Sequence, residues 1–245
     1  MTRLIRVADS GSGLYDGIIG FARATPGWFQ GLGELYTEVG LLLFGVFFLV
    51  AWWRARATGR VRAVTRALLA PVVTVGAYVS SELLKLVIHE DRPCRGLPVD
   101  AIIAECPEIG DWSFPSNHSA IAGAAAVGLA VAWRRVLPWV VAIALLMAFS
   151  RVFVGVHYPH DVLVGLLFGA GVALVSIKAL EKRAFSLVGK LGARRDFVGR
   201  LLFAVPPVGE EPTRRLPRQR DLGRPGDRGA IDGPTLREPR QGGGR

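Results

Sequence analysis

The stretch "SRVFVGVHYPHD", Ser150 to Asp161, places an arginine, two histidines and an aspartate at the end of an apolar segment. Two further polar clusters lie upstream: Lys85, His89, Asp91 and Arg92 in "KLVIHEDRP", and Ser116, Asn117 and His118 in "PSNH". Lys85, Arg92 and Arg151 are candidate cations for a phosphoryl group, and the planar guanidinium fork matches two phosphate oxygens. Ser116 and Asn117 stand just before an apolar helical run, where free backbone N–H groups and the helix dipole favour an anion. Such a site suits the transition state of phosphoryl transfer, in which negative charge spreads over the equatorial oxygens. Two histidines can then divide the chemistry. One attacks phosphorus to give a phosphohistidine, and the other protonates the leaving oxygen. Asp161 follows His157 by four residues, within reach of one imidazole nitrogen, where a carboxylate fixes the tautomer and stabilises the imidazolium.

The clusters can act together only if the fold brings them to one place. The chain has 245 residues, 51% of them hydrophobic, and the apolar residues are gathered in blocks close to the length needed to cross a bilayer. We expect an all-α, polytopic membrane helical bundle with about five transmembrane helices, at about 32–53, 64–88, 119–133, 136–153 and 161–180. The third, "SAIAGAAAVGLAVAW", is so rich in alanine and glycine that it suits close packing against its neighbours. Basic stretches follow the first, third and fifth blocks: "RARATGRVRAVTR", Arg134 with Arg135, and "KALEKR". The positive-inside rule puts these on the cytoplasmic side of the plasma membrane. The N-terminus then lies outside, the C-terminus inside, and all three polar clusters meet at the outer face.

The expected organisation is an interfacial segment at 1–31, a transmembrane catalytic core at 32–183, a basic amphipathic segment at 184–204 and a disordered Arg/Gly/Pro-rich cytoplasmic tail at 205–245. Residues 1–31 show no continuous apolar core followed by a small-residue cleavage site, so insertion is expected to rely on the first span. The net charge of +10 comes with arginines that flank the spans and fill the tail. No zinc-finger spacing or RNA-binding motif accompanies it, and nucleic acid is not an expected partner. Cys94 and Cys106 share one polar loop. In an oxidising compartment they can close a disulfide; otherwise they stay two thiols, and the spacing does not choose.

Taken in order, Lys85 with six residues before Arg92-Pro93, then Pro115-Ser116-Asn117-His118, then Ser150-Arg151 with five residues before His157 and three more before Asp161, form a pattern. It resembles the three-part signature of the type 2 phosphatidic acid phosphatase (PAP2) superfamily, which includes membrane lipid phosphatases and bacterial undecaprenyl-diphosphate phosphatases. The match spans about 85–161, and the helix pattern extends it to about 32–180. The resemblance implies His157 as nucleophile, Asp161 as its partner, and His118 as general acid and then as base. It implies Lys85, Arg92, Ser116, Arg151 and the backbone N–H of Asn117 as phosphate ligands, with no metal and no cofactor. The implied substrate is a lipid phosphate or diphosphate, with undecaprenyl diphosphate favoured over phosphatidic acid and phosphatidylglycerol phosphate. A non-catalytic anion- or lipid-binding membrane protein is the alternative from another class. The soluble vanadate haloperoxidases of the same superfamily are disfavoured by the long apolar spans. Asn117 replaces the usual glycine, and asparagine is expected to tolerate a left-handed turn there. Glu82, one helical turn before Lys85, is expected to pair with it; His89, Asp91 and His160 are left outside the catalytic set.

Overall fold

Small side chains decide the architecture. Helix α4, Asn117–Ala132, is mostly alanine, glycine and valine, and its buried positions include Ala120, Ala122, Gly123, Ala124, Ala125, Ala126 and Gly128. The computed structural model describes residues 12–98, 101–194 and 196–207. In it α4 is the central post, packed against α2 (Gly27–Ala57), α3 (Val61–Lys85), α5 (Leu137–Phe153) and α6 (Pro159–Gly192). In lipid there is no hydrophobic drive between helices, so close backbone approach and van der Waals contact must hold them together. A Cβ added at Gly169 would lie 1.9 Å from the Ala120 carbonyl oxygen, and one at Gly123 would lie 2.2 Å from the Leu166 oxygen. The α4 and α6 backbones therefore touch directly, which only glycine permits.

The remaining elements enclose that contact. Helix α1, Ser12–Ala24, ends before Pro26, whose extended backbone starts α2. Tyr15 and Ile19 of α1 bury against Ala148, Val152 and Val162 of α5 and α6. Gly59, with φ 67°, turns the chain from α2 into α3. Cys94 and Cys106 are joined in a disulfide within the long loop between α3 and α4. All described residues belong to one compact unit, Met1–Gly209; the second unit, Glu210–Arg245, lies outside the described residues.

Four helices are long and apolar enough to cross a membrane by length and composition: Gly27–Ala57, Val61–Lys85, Arg134–Phe153 with its leading 3-10 turn, and Pro159–Gly192. The expected third span, Asn117–Ala132, is shorter at 16 residues, or about 24 Å. Large apolar side chains such as Leu42, Leu49, Val75, Leu145, Leu167 and Val175 point outward, as expected where the surrounding solvent is lipid. The interior holds the charges instead: Lys85, Arg92, Arg151, His157 and Asp161 are buried.

One boundary differs from expectation. Helix α6 runs 34 residues to Gly192, because no proline or turn signal follows the basic "KALEKR". The segment expected as a separate unit at 184–204 thus begins as the last turns of α6. Its remainder forms a short helix α7, Phe197–Leu202, folded back so that Leu202 and Phe203 bury against Ala55, Val61 and Val188. The tail expected to be disordered at 205–245 lies outside the described residues from residue 208 onward.

Replacing Gly169 by leucine should destabilise the bundle by about 1–3 kcal/mol or more, since backbone rather than a movable side chain blocks the new atoms. Gly171→Ala, with nothing within 4 Å of the added Cβ, should be neutral or stabilise by up to about 1 kcal/mol. Thermal melting of both variants in one detergent checks the contrast.

Candidate active site

His157 sits in the short connection between α5 and α6. Gly155, at φ 95°, makes the turn out of α5, and the Tyr15 hydroxyl donates to its carbonyl at 2.8 Å. Helix α6 starts with Pro159 after Tyr158, which places Asp161 in its first turn. The sequence spacing of four residues becomes contact: His157 Nδ1 lies 3.3 Å from Asp161 Oδ2. The same carboxylate oxygen accepts the Tyr158 N–H at 2.9 Å and the Ser113 hydroxyl. Ser113 Oγ is also 3.3 Å from His157 Nδ1.

The other imidazole nitrogen faces cations. Arg92 Nη1 donates to His157 Nε2 at 3.0 Å and to the Val156 carbonyl at 3.1 Å. An arginine N–H can only donate, so Nε2 carries the lone pair and Nδ1 carries the proton that points to Asp161. Burial pushes the His157 pKa down to about 4, with Arg92 and Arg151 acting in the same direction against the hydrogen bond to Asp161. The ring is therefore neutral near pH 7, with Nε2 available as a nucleophile.

The structure brings the other predicted residues around this imidazole. Arg151, near the end of α5, donates from Nη1 to Thr37 Oγ1 at 2.8 Å, while its buried Nε has no hydrogen-bond partner among the described residues. His118, in the first turn of α4, lies within electrostatic reach of Arg151, His157, Arg92 and Lys85. Ser116 is fully buried, and its N–H donates to the Asp161 carbonyl at 3.2 Å, joining the start of α4 to the start of α6. Its hydroxyl accepts from the Ser119 hydroxyl at 3.2 Å. Lys85, at the end of α3, lies 3.0 Å from Asp111 and 3.8 Å from Glu82.

Asn117 behaves differently from the expectation of a left-handed turn. It is the first residue of α4, and no described non-glycine residue has positive φ. Its side chain turns to α3, accepting from the Ser81 hydroxyl at 2.7 Å and donating to Glu82. Its backbone N–H is one of the groups that a helix start does not satisfy internally. The residues set aside also have partners elsewhere. Asp91 pairs with Arg95, and the His89 ring lies 4.7 Å from Trp112. His160 Nε2 is 2.8 Å from Glu90 and 3.1 Å from Asp161 Oδ1. Glu90, His160 and Asp161 offer ligand atoms within 4.8 Å of one another, a spacing that a divalent ion tolerates; an imidazolium between two carboxylates satisfies the same atoms.

Three contacts were not anticipated from the sequence. Thr37 holds Arg151, Ser113 holds Asp161, and Asp111 bridges Lys85 and Arg92, with Oδ2 2.9 Å from Arg92 Nη2. Thr37 is a fully buried hydroxyl in an apolar span and needs a partner, but that burial is not visible in the sequence. Ser113 and Asp111 lie in an irregular loop with no periodicity to orient them.

The family model for the PAP2 superfamily matches residues 66–185. An undecaprenyl-diphosphatase of Bacillus subtilis is 34% identical over 133 residues, which cover 54% of this chain and 64% of that protein, under two thirds of its length. A lipid A 1-phosphatase of Rhizobium johnstonii is 32% identical over 178 residues, covering 66% of this chain and 72% of the relative. The crystal structure of a transmembrane PAP2-type phosphatidylglycerolphosphate phosphatase from Bacillus subtilis superposes with a TM-score of 0.51 at 20% identity, covering 73% of this chain and 89% of that one. With the three motifs gathered around one buried imidazole and a relative matched over most of its length, the chain belongs to the PAP2 superfamily.

Proposed function

We propose that this chain is a metal-independent membrane phosphatase that cleaves a lipid phosphate or diphosphate through a phosphohistidine. The observation that carries the reading is the orientation of His157. Its Nδ1 is held by Asp161, and its Nε2 is turned toward the guanidinium of Arg92.

Lys85, Arg92 and Arg151, with Ser116 and the Asn117 N–H, bind the phosphoryl oxygens. His157 Nε2 attacks phosphorus, and the P–O bond to the leaving group breaks as His118 supplies the proton. For a diphosphate attacked at its terminal phosphorus the leaving group is the lipid monophosphate. In the second half His118 takes a proton from water, whose oxygen attacks phosphorus; the P–N bond breaks, and Nε2 recovers its lone pair. Asp161 stabilises the imidazolium character that develops on His157 at each stage. Three fixed cations supply the charge stabilisation that a metal ion gives in other phosphatases.

A groove of about 210 Å³ supports a lipid substrate. It runs between α2 and α5 and is lined by Phe29, Gly33, Tyr36, Phe149 and Phe153. Ser150 also lines it, and the Ser150 hydroxyl lies 3.3 Å from Thr37, the residue that holds Arg151. An apolar channel thus adjoins a phosphate ligand. The Bacillus relative named an undecaprenyl-diphosphatase favours a polyprenyl diphosphate cut to the monophosphate. The outer side of the plasma membrane is the proposed location of the site. The arginines at 54, 56, 134 and 135 lie at the opposite helix ends, and the disulfide lies at the site end.

Phosphate release from undecaprenyl diphosphate, lipid A 1-phosphate, phosphatidic acid and phosphatidylglycerol phosphate, compared in one detergent, tests the reading. Turnover should be highest with the prenyl diphosphate, should survive EDTA, and should fall at least about 10³-fold in His157→Ala. No release from any lipid phosphate would refute the enzymatic assignment, and strong EDTA inhibition would refute the metal-free mechanism and point to the Glu90–His160–Asp161 cluster.

His157 also makes stability depend on pH. Its folded pKa of about 4 lies below the ordinary 6.5, so between these values the unfolded chain binds the proton that the folded chain refuses. Its contribution is complete above about pH 6.5 and is lost as pH falls toward 4. Melting temperature in detergent should decline over that window, and His157→Gln should flatten the decline. A reporter fused after residue 200 should be active only as a cytoplasmic marker; a signal from the opposite side would reverse the assigned sidedness.

A further inference from the structure

The loop between the 3-10 turn at Pro93–Gly96 and helix α4 is tied to the site at several points. Cys106 is bonded to Cys94. Arg95 donates to the carbonyls of Glu108 and Asp111 at 2.9 and 3.2 Å. The Ser113 N–H donates to the Glu90 carbonyl at 2.8 Å. Between these anchors the chain makes one tight turn, with the Asp111 N–H donating to the Glu108 carbonyl at 3.1 Å and Gly110 at φ 102°. The turn aims Asp111 at the cations. Its Oδ1 lies 3.0 Å from Lys85 Nζ, its Oδ2 2.9 Å from Arg92 Nη2, and its carbonyl accepts from Arg92 Nε at 2.9 Å.

Lys85 and Arg92 are also the donors assigned to the phosphoryl group. A carboxylate and a phosphate present the same fork of two charged oxygens, so they compete for the same N–H groups. We propose that Asp111 is an internal competitor for the phosphate-binding cations, its carboxylate and the substrate's phosphoryl group taking the donors of Lys85 and Arg92 in turn. The proposal rests on Lys85 and Arg92 being phosphate ligands.

The two sides of the exchange are built differently. The cations are fixed, with side chains only 6% and 3% exposed, whereas the Asp111 side chain is 47% exposed. Water can therefore receive the displaced carboxylate. The backbone at Asp111 is held by its hydrogen bonds to Glu108, Arg92 and Arg95, so the exchange is a movement of the side chain alone. Asp111 stays ionised: burial opposes this, but Lys85 and Arg92 outweigh it and hold the carboxyl below its usual range. Two buried cations side by side are costly without an anion. Asp111 supplies one and holds the guanidinium in place, at the expense of affinity for phosphate. That trade suits an enzyme whose product, inorganic phosphate, must leave the same donors after each turnover.

The test is binding, which requires no turnover. Inorganic phosphate is titrated calorimetrically into the full chain in detergent, as wild type, Asp111→Asn, Asp111→Ala and the control Asp91→Asn. Asp91 pairs with Arg95 at the surface. Both Asp111 variants should bind phosphate about tenfold or more tightly than wild type, the equivalent of one charge-assisted hydrogen bond, and the control should match wild type. Equal or weaker binding in the Asp111 variants overturns the competition and makes Asp111 a residue that merely orients the cations. Absence of binding in every protein overturns the phosphate site and the proposal with it. A second readout leaves Asp111 intact. Phosphate should change the fluorescence of wild type but not of Trp112→Phe, because Trp112 adjoins the displaced residue. A wild-type signal that ignores phosphate at concentrations where calorimetry shows binding counts equally against the exchange.

Discussion

The direct contact of the α4 and α6 backbones is the constraint on which the site depends. Gly169 lies against Ala120, Gly165 lies against the Ser116 carbonyl, and the Ser116 N–H bonds to the Asp161 carbonyl. These contacts bring two helix N-termini together at one end of the bundle. One carries Ser116, Asn117 and His118; the other carries Asp161, with His157 just ahead of it. Side chains larger than hydrogen at these glycines would separate the two helices by the width of the added atoms. The imidazoles would then part, and the His157–Asp161 pair, 3.3 Å apart, would no longer lie beside His118.

Burial of charge is the second constraint. Lys85, Arg92 and Arg151 are concentrated in an interior where each charge costs several kcal/mol unless it is matched. The matching is uneven. Asp111 and backbone carbonyls serve Lys85 and Arg92, whereas Arg151 has the neutral Thr37 and an unpartnered Nε. Among the described residues no guanidinium pairs with Asp161; the Ser113 hydroxyl, the Tyr158 N–H and His157 meet its Oδ2, and His160 lies 3.1 Å from its Oδ1. The carboxylate thus meets the imidazole, while the cations find their partners elsewhere.

Most of the architecture was legible in the sequence because apolar blocks of bilayer length and basic flanks are coarse signals that tertiary packing does not override. The motif spacing carried Lys85, Arg92, His118, Arg151, His157 and Asp161 to one end of the bundle by the same logic. Features decided by local geometry were not legible. The loop that presents Asp111 and Ser113 has neither period nor hydropathy contrast, and its path depends on Gly110 and on Arg95. Thr37 was hidden among interfacial neighbours such as Tyr36 and Glu38. Asn117 was read against the glycine that the family pattern carries, and so as a matter of backbone freedom; its side chain is instead engaged by α3. The continuation of α6 to Gly192 was not legible either, because a basic cluster marks where a helix leaves the bilayer, not where it stops.

That last feature has a mechanical side. Helix α6 carries Asp161 in its first turn and Val188 in its last turns, and Val188 packs with Leu202 and Phe203 at the far end of the molecule. A helix of 34 residues is a rod of about 51 Å, well beyond the roughly 30 Å of hydrocarbon it crosses. Over such a lever a tilt of about 2° moves one end by about 1.8 Å relative to the other, comparable to the difference between a made and a broken hydrogen bond. The alignment of the carboxylate beneath His157 is therefore set at two surfaces at once: where α6 meets Ser116, and where its opposite end meets α7.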